Sequence, residues 1–218
     1  MSTMSYARAI NDATNLCMTE DDNVCVLGLG VTDPKGIFGT TTGLEKKFGS
    51  HRVIEMPTAE NSMTGIALGA ALMGMRPIIV HQRVEFSLLA IDQMVNQAAK
   101  WSYQTGGRMG VPMVIRLIIG RGWGQGPQHS QSLESWFAHI PGLKVVMPST
   151  PADARGLFIS SVRDDNPIIF LEHRWLHDVE GVVPSDNSIV QLGKCKVILK
   201  GTDLTIVAYS FMISQALY

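Results

Sequence analysis

Short continuous apolar runs alternate along most of this chain with longer stretches of helical period. Tyr6 to Thr19 brings Ala9, Ile10, Ala13, Leu16 and Cys17 onto one stripe, and Val24 to Gly28 follows as an apolar run of the kind buried on both faces. Leu44 to Phe48 reads as a short helix closed by Gly49, and Val53-Ile54 as the next strand. A small-residue helix is expected over Ser62 to Met75, then a strand at Pro77 to Val80 and a long helix from Phe86 to Lys100. Val111 to Ile115 starts a strand that runs on towards Gly120. Ser132 to His139 (helix), Leu143 to Met147 (strand), Pro151 to Val162 (helix) and Pro167 to Leu171 (strand) complete the block. This alternation predicts an α/β fold, a parallel sheet with helices on both faces.

Beyond the block the period fades. Residues 1–175 are expected to form one domain, and the polar stretch after Glu172 opens a linker over 176–200 with a hairpin-like pair at Ile189 to Leu199. Residues 201–218, with a strand at Leu204 to Ala208 and a helix near Ile213, read as the first βα unit of a second α/β domain. One strand and part of a helix cannot bury a core, so this unit is expected to dock elsewhere or to be the start of something longer.

Composition narrows the partners. A net charge of −1 over 218 residues gives no electrostatic reason to expect nucleic acid or an anionic membrane. Cys17, Cys25 and Cys195 are far apart with no CxxC spacing, which suits a reducing cytoplasm rather than a disulfide scaffold or zinc site. The first residues show no apolar signal segment, and no run reaches membrane-span length, so a cytoplasmic protein is expected.

Two glycine clusters invite nucleotide readings and fail them. Gly28-Leu29-Gly30 meets Asp33 at the sixth position of a GxGxxG pattern, and Gly120 to Pro127 lacks the GK[ST] ending of a phosphate loop. The more informative stretch is Val53 to Pro77. Gly65, Ala67, Gly69, Ala70, Ala71 and Gly74 make a thin helix that another backbone can approach, with Ile66, Leu68 and Leu72 expected in the core. Glu60 stands where that helix starts. By spacing it is either an acid that supports the helix dipole or a buried acid that hands a proton to a bound cofactor. His81 to Glu85 sets polar groups at a strand's carboxyl end, where open α/β sheets place ligands.

Several motifs in order now carry a resemblance. Pro57-Thr-Ala-Glu60 and Thr64 to Ala71, Met75-Arg-Pro77, Phe86-Ser87, Ala90-Ile-Asp-Gln93, Gln128-His-Ser-Gln131, Pro141 to Val146 and Arg163 to Pro167 together resemble the beta subunit of thiamine-diphosphate-dependent 2-oxo acid dehydrogenases, pyruvate dehydrogenase among them. The similarity implies a transketolase-type pyrimidine-binding domain, followed by the start of a transketolase C-terminal-type domain. It implies Glu60 as the acid facing the aminopyrimidine of thiamine diphosphate, Thr58 and Phe86 as further cofactor contacts, and His129 as an active-site histidine. It also implies a structural potassium site at Met113, Ser161, Val162, Asp164 and Asn166. The chain has no Gly-Asp-Gly followed by an Asn about thirty residues on, the pattern that holds magnesium and diphosphate in this superfamily. The resemblance therefore implies an alpha-type partner that holds Mg2+ and completes the site, association into a heterotetramer, and a lipoyl acyltransferase as acyl acceptor.

The chain departs from that family in four places. Gly28-Leu29-Gly30 lacks the acid of a proton path between paired sites. His81-Gln82-Arg83-Val84-Glu85 replaces an apolar and aromatic segment, which suggests either an anionic substrate or groups that pair among themselves at a subunit interface. Arg121 and Trp123 replace small and apolar residues, and most of the C-terminal domain is missing. A split transketolase-like carbon-fragment transferase and a non-catalytic pyrimidine-domain scaffold remain as alternatives.

Overall fold

The computed structural model describes residues 1–120, 124–184 and 189–218. A short strand β1 (Ser2–Ser5) leads into α1 (Tyr6–Glu20), whose N-cap Ser5 accepts the Arg8 N–H. Then come β2 (Val24–Gly28), the turn α2 (Gly36–Gly39), α3 (Leu44–Phe48), β3 (Val53–Glu55), α4 (Glu60–Leu72) and β4 (Arg76–His81). A continuous helical rod follows: α5 (Val84–Ser87), a 3₁₀ turn (Leu88–Ala90), a π-helical stretch (Asp92–Ala98) and α6 (Ala99–Gln104). The chain continues through β5 (Val114–Ile119), α7 (Glu134–Ala138), β6 (Lys144–Val146), α8 (Pro151–Arg163), β7 (Ile168–His173), β8 (Glu180–Val183) and α9 (Phe211–Ala216).

Six strands form one parallel sheet in the order β3-β2-β4-β5-β7-β6. The expected parallel sheet with helices on both faces is what forms. One face packs against α1 and α8 through Ile10, Val26, Ile78, Val114, Phe158 and Phe170. The other packs against α4, the rod and α7 through Met63, Leu27, Ile79, Met94, Ile115 and Phe137. At Gly28 any side chain would collide with the Val80 carbonyl oxygen, so glycine lets β2 lie against β4 at the point where the chain leaves the sheet.

Three expectations need correction. Ile66, expected in the core, is 56% exposed, because it lies on the outer face of α4 while Leu68 faces inward. The stretch after Glu172 is not only a linker: β8 pairs antiparallel with β1, Ser2 opposite Val183, and so ties residues 180–183 to the first domain. Neither strand is long or apolar enough to be read from its own pattern. Among the described residues of 189–208 no strand forms, although a hairpin and a strand were expected there. A strand needs a neighbour to accept its ladder bonds, and Leu199, Leu204 and Val207 are exposed.

The sheet buries one ion pair completely. Arg116 of β5 donates to both Glu172 oxygens of β7, from Nε at 2.6 Å and Nη2 at 3.0 Å, and the guanidinium lies 5.7 Å from the Phe158 ring. His177 Nε2 stands 3.3 Å from the same carboxylate. Burial alone pushes the Glu172 carboxyl up, but Arg116 and His177 together offset this and hold it down at about 2. A carboxyl held below its unfolded value of 4.5 stabilises the fold fully above that value, and its contribution is lost as pH falls from 4.5 towards 2. Urea unfolding should therefore show about 3 kcal/mol of stability disappearing across that window. In Glu172→Gln that acid-side slope should vanish, with lower stability at neutral pH because Arg116 is left buried without its counter-charge.

Candidate functional site

In an open α/β sheet the crevice for a ligand lies outside the carboxyl ends of the strands where the winding reverses. Here that point falls between β2, which runs to β3 on one side, and β4 on the other. The loops leaving β2, β3 and β4 meet there. They line a cavity of about 370 Å³ with Leu29 and Gly30, Glu55 and Thr58, Glu60 at the start of α4, and Gln82 and Phe86 beyond β4. Of the residues expected at the site, Glu60, Thr58 and Phe86 are brought together in one cavity.

Glu60 is the first residue of α4 and is 6% exposed. Its carboxylate has no donor among the described residues, although it sits at the positive end of the helix and faces the cavity. Its backbone carbonyl accepts the Thr64 hydroxyl at 2.8 Å, and Thr64 Oγ1 lies 3.1 Å from His81 Nε2. This polar shelf holds the helix start over the end of β4. His81 is fully buried, and burial lowers its pKa to about 4, so the ring is neutral at physiological pH.

Phe86 is half-buried, and its ring lies 5.3 Å from that of His129 at an angle of 53°. His129 ends a 3₁₀ turn, Pro127–His129, carried by the segment that follows β5. It does not line the cavity directly but packs behind Phe86, and its Nδ1 is buried without a hydrogen-bond partner among the described residues. Arg121 and Trp123 lie outside the described residues.

The polar segment after β4 resolves into pairs. Arg83 and Glu85 are both buried, with Nε 3.4 Å from Oε2, while Gln82 is exposed in the cavity. With His81 neutral and Arg83 matched by Glu85, the segment pairs within itself, and the anionic-substrate reading loses its charge. Sequence reasoning also missed Glu55. Its carboxylate accepts the Gly30 N–H at 2.6 Å and the Thr32 N–H at 3.1 Å, which puts an acid at the loop where Gly28-Leu29-Gly30 carries none. The signal was its place at the end of a strand, two residues before Pro57.

The residues offered for potassium meet where α8 ends near the start of β5. The Met113 carbonyl accepts the Ile168 N–H and that of Ser161 the Asp164 N–H. The Val162 and Asp164 carbonyls accept from Arg76 Nη1 at 3.0 and 3.1 Å, and Asp164 Oδ1 accepts from Asn166. Arg76 and the local N–H groups thus each take up one acceptor position on these carbonyls. Among the described residues, no cluster of His, Cys, Asp or Glu is arranged to hold a metal, and no helix is long and apolar enough to cross a membrane.

Fold and cavity agree with what the chain is similar to. The family model for the transketolase pyrimidine-binding domain matches residues 2–178. The 2-oxoisovalerate dehydrogenase subunit beta of Bacillus subtilis is 42% identical over all of this chain and 67% of its own length. The pyruvate dehydrogenase E1 component subunit beta of Porphyra purpurea is 43% identical over 97% of this chain and 64% of its own. A solved structure described as a split gene transketolase, an inactive beta4 tetramer, superposes with a TM-score of 0.78 at 21% identity, over 98% of this chain and 65% of that one. The chain belongs to the transketolase pyrimidine-binding-domain family, among the beta subunits of the 2-oxo acid dehydrogenases. It spans about two thirds of the length of the two relatives named.

The shelf beneath Glu60 gives a measurable pH signature. A histidine whose folded pKa is lowered to about 4 stabilises the fold fully above its unfolded value of 6.5 and loses that contribution as pH falls towards 4. Between pH 7 and pH 5 the chain should lose about 2 kcal/mol in urea unfolding. His81→Gln, which keeps a partner for Thr64 without a titrating ring, should remove that loss.

Proposed function

We propose that this chain is the beta subunit of a thiamine-diphosphate-dependent 2-oxo acid dehydrogenase and contributes the aminopyrimidine half of a site shared with an alpha-type subunit. The observation that carries the reading is Glu60: a buried carboxylate without a donor among the described residues, at a helix start, opening into a cavity with an aromatic wall. A structural acid would be expected to accept the first N–H groups of its helix; this one is left for a ligand. The cavity volume and its lining fit an aminopyrimidine ring.

When bound, thiamine diphosphate supplies the nucleophilic carbon and the electron sink for decarboxylation. The protein's share is placement and proton handling. Glu60 holds a proton against the ring nitrogen it faces and keeps the exocyclic amine ready to act as base. Phe86 offers its face to the aminopyrimidine and, with Leu29, excludes water. Thr58 closes the cavity beside Glu60. His129, behind Phe86, holds or gives a proton on the side of the reacting group. The diphosphate and Mg2+ belong to the alpha-type subunit, because this chain carries no motif for them. Acyl transfer to a lipoyl group on an acyltransferase, in a cytoplasmic heterotetramer, completes the reading. Residues 201–218 would open a C-terminal domain of the transketolase type.

Two outcomes test this. Calorimetric titration of thiamine diphosphate with Mg2+ should give binding to the chain plus its alpha-type partner and none to the chain alone. Glu60→Gln should bind in the assembly but lower turnover at least about a hundredfold, the lower end of what one positioned acid–base group contributes. Equal turnover in the variant would remove Glu60 from the chemistry. The outer face of α4 serves the partner: Gly69 is exposed with open space around it, beside exposed Ile66 and Met73. Gly69→Leu should leave the chain folded, since Leu is the better helix former, and should weaken co-elution with the alpha-type subunit. Co-elution as strong as wild type would move the interface elsewhere.

A further inference from the structure

Arg83 and Glu85 do not line the cavity, and both bond to backbone of the segment after β5. Arg83 Nη2 donates to the His129 carbonyl and, at 3.4 Å, to the Gly120 carbonyl. Glu85 Oε1 accepts the Gln131 N–H at 2.7 Å. Gly120 N in turn donates to the Gln131 carbonyl at 3.4 Å, closing the base of the segment that joins β5 to α7. Both charged side chains are more than nine-tenths buried, at 8% and 7% exposure. Residues 124–128 are exposed, so packing does little to hold that stretch.

We propose that Arg83 and Glu85 are positioning residues: a buried ion pair that holds the backbone at Gly120, His129 and Gln131 and so fixes the His129 ring against Phe86. The chemistry suits the task. Taking one carboxylate and one guanidinium out of water together is tolerable when each also makes charge-assisted bonds to backbone groups. Here those backbone groups are the ones that flank His129. A guanidinium spreads its donors over a rigid planar fork that can meet two carbonyls and a carboxylate on different sides, which a compact ammonium cannot. The pair therefore holds the backbone at and beside His129 without side-chain packing. It also keeps Arg83 from acting as an open anion site beside the cavity. This inference rests on His129 being a site residue.

The test compares Glu85→Gln, Glu85→Leu and the double variant Arg83→Met/Glu85→Leu, each assembled with the alpha-type subunit. Removing one charge alone exposes the other to burial without a partner, so the double variant is the one expected to keep wild-type thermal stability. In the double variant, hydrogen exchange in the peptide covering 124–131 should accelerate at least about tenfold while peptides of β5 and β7 stay unchanged. Glu85→Gln, which keeps an acceptor for the Gln131 N–H, should exchange close to wild type. Turnover of the double variant should fall at least about tenfold, with the KM for the oxo acid within about threefold of wild type. Unchanged exchange in the double variant overturns the clamp. Faster exchange with unchanged turnover overturns the role given to His129 and leaves the Glu60 reading to its own test.

Discussion

The reversal of winding between β2 and β4 is the constraint on which the rest depends. All six strands run the same way, so every strand delivers its next residues to one edge of the sheet. Only at the reversal do the outgoing loops part and leave room between them. That single topological fact puts Gly30, Glu55, Glu60 and Phe86 in contact with one space, although they come from three separate stretches of chain. Gly28 permits the geometry: β2 can lie close to β4 only because nothing projects there.

Around that space the interior is held by polar groups in matched sets. The Arg116–Glu172 pair with His177 lies on the face of α1 and α8, the Thr64–His81 contact lies beneath α4, and Arg83–Glu85 lies under the segment that carries His129. Each set anchors a different wall. Charges of this kind add little net stability over apolar replacements, but they give a region one arrangement rather than several, which a site built from loops needs. The thiols take no part: burial raises Cys17 to about 12 and Cys25 to about 11, so both stay protonated.

Much of this was legible in the residues. The apolar runs of the central parallel strands are unbroken because both faces are covered, and all six main-sheet strands fall where the sequence leads one to expect a strand. Glu60, Thr58 and Phe86 could be paired through motif order, but not through spacing, since they meet only across the switch point. Pattern reading failed where tertiary partners decide. The β1–β8 ribbon is four residues on each side and half polar, and its strands exist only as a pair. Residues 189–208 have strand-like composition but pair with no strand among the described residues, so they stay irregular. The polar run from His81 to Glu85 looked like a charged surface because a sequence does not reveal that His81 is buried and neutral or that Arg83 and Glu85 face each other. Glu55 carried no motif at all.

The central claim is that Glu60 controls the proton on the cofactor's aminopyrimidine. It is tested most directly by nitrogen NMR of thiamine diphosphate labelled with ¹⁵N at N1′, bound to the assembled protein. Wild type should hold that nitrogen protonated at a pH where Glu60→Gln, equally saturated with cofactor, leaves it unprotonated. The same chemical shift in both proteins would contradict the account.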